Sequence, residues 1–179
     1  MKRTLAVISA LLLTASFGYA QHNATGTSSL SVTVGAEAAI VINNSPSLTS
    51  TGIFGSYTGT TNLTYYVRTI TGGSVVLEVT TDFSTGGTGG GPSVAHPPTS
   101  GDALTYTCTA ATPVTGTATP CASTLTASTT ATTNVVTFAA TTQSAAAGNS
   151  SSTSWTLTND PSYAAGSYTA VVTYTISAT

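Results

Sequence analysis

Apolar residues in this chain recur at every second position, rarely at every third or fourth. From Ser29 to Ile42 the sequence SLSVTVGAEAAIVI sets Leu30, Val32, Val34, Ala36, Ala38, Ile40 and Ile42 on one parity. A period of two marks a strand with one face buried. Gly35 interrupts the run and marks a bend or bulge. A turn zone follows through Asn43, Asn44, Pro46, Gly52, Gly55 and Gly59. Residues 62–71 then place Leu63, Tyr65, Val67 and Thr69 on one face, with Tyr66, Arg68 and Ile70 on the other. Gly72-Gly73 predicts a tight hairpin. The return strand, Ser74 to Thr81, turns Val75, Leu77 and Val79 inward and Glu78 outward. Across that hairpin Arg68 and Glu78 would face each other on the solvent side.

Residues 82–102 crowd Gly and Pro together and predict a long irregular loop. Strands resume at 103–110, with Leu104, Tyr106 and Cys108 on one face. A weak strand surrounds Leu125 within 122–130, and another spans 134–140 with Val135, Val136 and Phe138. Ser144 to Ser154 reads as a small polar loop. The last two strands are Ser152 to Asn159, with Trp155 and Leu157, and Ser167 to Ala178. That final run sets Tyr168, Ala170, Val172, Tyr174 and Ile176 on a single stripe. Outside the N-terminus no segment has a helical apolar period. About eight short strands separated by turn signals predict an all-β chain, an antiparallel Ig-like β-sandwich.

The N-terminus follows another rule. Lys2 and Arg3 precede an apolar run from Leu5 to Leu13, and Gly18 and Ala20 supply small residues at −3 and −1. This is the pattern of a secretory signal peptide, residues 1–20, cut after Ala20. It leaves residues 21–179 as one β-sandwich domain with no transmembrane span, exported to the periplasm, cell surface or medium. The cut also removes two of three basic residues. Arg68 then stands alone against five carboxylates, a formal charge of −4 for residues 21–179. No basic patch can form, which excludes nucleic acid as a partner. Thr supplies about a quarter of the chain, a residue that packs on a pleat and offers a hydroxyl without charge. Cys108 and Cys121 are the only cysteines. An even pair in an exported chain predicts a structural disulfide.

Catalytic chemistry finds little to work with. His96 precedes Pro97-Pro98 in the long loop, and no G-x-S-x-G elbow marks a serine nucleophile. The carboxylates are scattered along strands and turns, without the clustering that calcium needs. A copper-binding N-terminal His22 would require cleavage one residue later than Ala20 directs. No catalytic residue, metal ligand or cofactor is therefore expected. Tyr57, Tyr65, Tyr66 and Tyr163 are candidate sugar-stacking rings. Tyr65 shares the core parity of its strand, so Tyr66 with Arg68 is the candidate ligand face.

The C-terminal run from Ala165 to Ile176, AGSYTAVVTYTI, resembles the closing G-x-Y-x-x-x-V strand of spore-coat-U-type secreted proteins, the pilins of archaic chaperone–usher fibres. It also resembles the end of WxL cell-wall-binding domains, and Trp155-Thr156-Leu157 supplies a literal W-x-L. Either resemblance implies a bacterial surface β-sandwich. With it, Gly166 and Tyr168 would form a tyrosine corner. The function expected is non-enzymatic: a structural or adhesive cell-surface protein, a self-associating fibre or coat subunit. Its strand-addition segment would carry Leu30, Val32, Val34, Ile40 and Ile42, pairing either within its own domain or into a neighbour. The alternative is a module that binds polysaccharide or peptidoglycan. The partners implied are further copies of the chain or a cell-wall or surface glycan.

Overall fold

A computed structural model describes residues 27–83 and 90–179. The expected signal peptide, His22 and the middle of the 82–102 loop lie outside the described residues. The sheets belong to a compact unit that runs from Val34 to Thr179. Among the described residues nine strands build it: β1 (Glu37–Ile42), β2 (Tyr57–Arg68), β3 (Gly73–Thr81), β4 (Leu104–Ala110), β5 (Ala118–Pro120), β6 (Leu125–Thr126), β7 (Thr133–Phe138), β8 (Asn149–Leu157) and β9 (Val171–Ala178). They form two antiparallel sheets, one ordered β1-β2-β8-β4-β6 and the other β5-β7-β3-β9. The all-β sandwich predicted from alternation is the fold observed.

The inner faces are those the parity of the sequence marks. Leu63, Tyr65 and Val67 of β2 and Val75, Leu77 and Val79 of β3 are buried, and all but Leu63 belong to one cluster that also takes in Leu104, Tyr106, Phe138 and Trp155. Aromatic rings fill the gap between the sheets, one pair across it and one pair side by side on the first sheet. Tyr65 of β2 packs on Phe138 of β7 with centroids 5.1 Å apart. Tyr106 of β4 packs on Trp155 of β8 at 5.3 Å, and its hydroxyl crosses to donate to the Asn134 carbonyl of β7 at 2.9 Å. Tyr65 donates to the Ala111 carbonyl and Trp155 Nε1 to Thr61 Oγ1. Each ring thus buries its apolar body and satisfies its polar atom.

Three expectations are corrected. Gly72-Gly73 does not close a hairpin: β2 lies in the first sheet and β3 in the second. Thr69 accepts from Gly72 N and donates back to the Gly72 carbonyl, turning the chain across the sandwich. Gly72 takes φ +134°, and a Cβ on Gly73 would strike the Ser177 carbonyl of β9. These glycines serve a close approach of backbones rather than a two-residue turn. The Arg68–Glu78 pair therefore does not form; Arg68 reaches Glu37 on β1 instead, at 2.7 Å. Finally, β8 begins at Asn149, so the predicted polar loop of 144–154 is largely a central strand. Its inward Ser151 and Thr153 are small, which leaves room between the sheets for the large rings beside them.

From β2 onward every connection passes from one sheet to the other, because even-numbered strands lie in one and odd-numbered strands in the other. Val135 and Val136 both face inward, made possible by a register shift where β7 meets β3 between Val75 and Val76. Cys108 of β4 and Cys121, just after β5, form the expected disulfide, with Cα atoms 5.4 Å apart. It joins the two sheets near their β5/β6 edge. By loop-closure entropy, replacing both cysteines by alanine is expected to lower the unfolding free energy by about 3 kcal/mol. Urea unfolding of the two forms measures this, and coincident midpoints would contradict it.

Candidate functional site

The two edges of the sandwich are built differently. At one, β5 has three residues and ends in Pro120, and β6 has two residues. Short strands and proline are the usual means of keeping an edge from pairing with another chain. At the opposite edge lie β1 and β9, of six and eight residues. Val171–Ala178 contains no proline and no charged side chain. Its single irregularity is a register shift against β3 at its first residue. A long, regular and uncharged edge is a template for a further strand.

The side chains along this edge are half covered. Val172, Tyr174 and Ile176 of β9 turn inward, yet none is fully buried. Val41 and Ile42 of β1 are 49% and 42% exposed, and only Ile40 packs on the core. Strands with a core-quality stripe normally bury it. Here the gap between the sheets opens as a cleft of about 960 Å³, lined by Ile42, Leu48, Tyr57, Leu104, Trp155, Leu157, Val172 and Tyr174. The Tyr174 hydroxyl is buried beside Thr153 and Thr61 without a well-aligned hydrogen bond, and burial pushes its pKa up.

Two hydrogen-bonded loops frame the cleft. In the segment before β9, Tyr168 donates to the Ala164 carbonyl at 2.8 Å, the corner hydrogen bond expected from Gly166 and Tyr168. Asp160 begins the turn, accepting from Ser162 N at 2.6 Å. Bonds from Ser162 and Thr99 hold its exposed carboxyl down to about 2. Tyr163 donates to buried Asp102 at 2.9 Å, and its own pKa is pushed up, first by desolvation and then by that carboxylate. On the other side Asp82, after β3, accepts from Phe83 N, Ser93 Oγ, Val94 N and Ala95 N. Phe83 and Pro92 both line the cleft.

The candidate strand-addition segment divides in two. Ile40 and Ile42 lie in β1, which pairs within its own domain as Ile40↔Tyr65 and Ile42↔Leu63. Leu30, Val32 and Val34 precede it without regular secondary structure, and are 95%, 84% and 57% exposed. Arg68 fixes the point where the chain enters the sandwich, donating from Nε to the Gly35 carbonyl and pairing with Glu37. Ile42, at the other end of β1, lines the cleft. Entry point and cleft are thus separated by the length of β1, about 20 Å.

Of the candidate rings, Tyr65 is buried, while Tyr57 and Tyr163 line the cleft. Tyr66 and Arg68 do come together, at a separate recess with Glu37 and Gln143. His96 is exposed in its loop. Among the described residues, no three His, Cys, Asp or Glu side chains gather to hold a metal ion. Sequence reasoning took Trp155, Leu157 and Tyr174 as ordinary core and missed that they floor a cleft. The available signal was the absence of proline and charge from the final strand. No protein-family model, no curated protein and no solved structure matches this chain.

Partial burial alone would raise the Asp82 pKa, but its four donors outweigh burial and lower it below 3.8. A lowered folded-state pKa gives stability that is fully present above about pH 4 and is lost as pH falls below it. Asp82→Asn is therefore expected to lower the melting temperature at pH 7, with the deficit shrinking at pH 3. A deficit equal at both pH values would contradict this role.

Proposed function

We propose that this protein is an exported, non-enzymatic structural subunit that self-associates by strand addition. The observation that carries the reading is the β9 edge beside the open cleft, which among the described residues pairs only with β3. A strand laid along β9 would bond its free backbone groups and send alternate side chains into the gap between the sheets. The segment suited to that place is residues 28–36 of another copy. Leu30, Val32 and Val34 are spaced by two, as are Val172 and Tyr174 of the cleft lining and Ile176 beyond them on the same stripe. Burying three such side chains contributes about 1.5–3 kcal/mol each before the ordering cost.

The direction of the chain favours fibres over closed dimers. The tail joins β1 at the Arg68 end, while the acceptor cleft opens at the Ile42 end. Donor and acceptor are then different surfaces, a heterologous contact that propagates unless its rotation closes a ring. Low charge supports the same reading, since little electrostatic repulsion opposes association. Export is supported by the signal-like N-terminus and by the disulfide. Among the described residues no helix is long and apolar enough to cross a membrane. The likeness of the last strand to coat-U-type pilins and WxL domains points to the surface of a bacterium.

The test is the variant Leu30→Asp/Val32→Asp/Val34→Asp, changed only at exposed positions outside both sheets. By light scattering the unaltered chain is expected to form a ladder of multimers and the variant a single monomer. A synthetic peptide of residues 27–36 is expected to block the ladder when added in excess. Multimers of equal size from both chains would overturn the reading.

A further inference from the structure

The outer face of the five-stranded sheet is a lattice of hydroxyls. Thr60, Ser154 and Thr107 lie side by side on β2, β8 and β4, and Asn62, Ser152 and Thr109 form the next row. Rows repeat at about 6.8 Å along the strands and about 4.8 Å across them. Thr109 and Ser152 share a hydrogen bond of 2.7 Å, and Thr60 and Ser154 one of 3.3 Å. Each hydroxyl has one donor and two acceptor sites, so capacity toward a ligand remains.

At one corner this face runs into a recess of about 350 Å³ holding Tyr66, Arg68, Glu37 and Gln143, with Ala38 and Ala39 alongside. The Tyr66 ring is half exposed and backed by Gly148. Gly148 has φ +79°, and a Cβ there would meet the ring at 2.9 Å. Arg68 is neutralised by Glu37 at 2.7 Å and tied to the Gly35 carbonyl at 3.1 Å. The recess therefore offers an aromatic platform, a fixed guanidinium donor and a carboxylate acceptor, with no net charge.

We propose that this face binds a neutral glycan, seated on Tyr66 and extending over the hydroxyl rows. The apolar face of a pyranose matches the ring, and its hydroxyls match Arg68, Glu37 and Gln143. Charge selects the class. On these five strands the only charged side chains are the mutually compensated Arg68 and Glu37, so an anionic polymer gains nothing. A protein partner would want a desolvated apolar centre, which rows of Ser and Thr do not supply. The site shares no residue with the cleft at β9 and stands whether or not the chain polymerises.

Affinity electrophoresis tests it, with dextran or hydroxyethylcellulose in the gel and alginate as the anionic control. The unaltered chain and the tail variant are expected to be retarded alike by at least one neutral polymer and not by alginate. Tyr66→Ala is expected to weaken the retardation about tenfold while melting cooperatively. Should Tyr66→Ala lose its fold, Thr107→Lys places a charge on an exposed row position and is expected to weaken binding similarly. No retardation by either neutral polymer, equal retardation by alginate, or unchanged binding in a folded variant would each overturn the proposal.

Discussion

Aromatic packing in the gap between the two sheets is what the rest of this structure depends on. Tyr65 on Phe138 and Tyr106 on Trp155 fill the middle of the sandwich, and the Tyr106 hydroxyl reaches across to the Asn134 carbonyl. Rings of this size hold the sheets apart, so small inward residues such as Ser151 and Thr153 are needed beside them. The disulfide adds a covalent staple between the sheets. With connections that cross between sheets at nearly every step, few contacts are local. Folding must close long loops before pairing stabilises them, which is intrinsically slow.

The same core accounts for the cleft. A sandwich held open by rings along its middle must be closed at its edges. Short strands and Pro120 end one side. On the other, β1 contributes only Ile40 to the core, and the stripe of β9 stays half covered. Apolar surface of that kind is an interaction site or a hazard. The hydrogen bonds of Asp160 and Asp102, and those that tie Asp82 to Phe83 and residues 93–95, lie around its mouth.

Much of this was legible in the sequence, and its failures have physical causes. Alternation marked the buried parity of Leu63, Tyr65, Val75, Leu77, Tyr106 and Trp155, but not the strand bounds: the run from Ser29 is a strand only from Glu37, β2 begins at Tyr57 within the expected turn zone, and β9 begins at Val171 rather than Ser167. Cysteine arithmetic found the disulfide, and Gly166 with Tyr168 announced the corner. The Gly72-Gly73 signal misled because a glycine pair also serves close backbone approach, here between β3 and β9. Asn149–Ser154 looked like loop because the run NSSSTS has no apolar alternation, and only its position between β2 and β4 makes it a strand. Arg68 met Glu37 rather than Glu78 because strand order, which alternation does not encode, decides cross-strand partners. Which edge remained open also depends on strand order, and its one sign in the sequence is a final strand without proline or charge.

Amide hydrogen exchange along β9 reports on the open edge most directly. The account predicts that the amides of Val171–Ala178 not bonded to β3 are protected in the assembled chain. In the variant with aspartates at positions 30, 32 and 34 they should exchange as fast as loop amides. Protection that is equal in the two chains, high or low, would contradict the claim that β9 receives the tail of a neighbour.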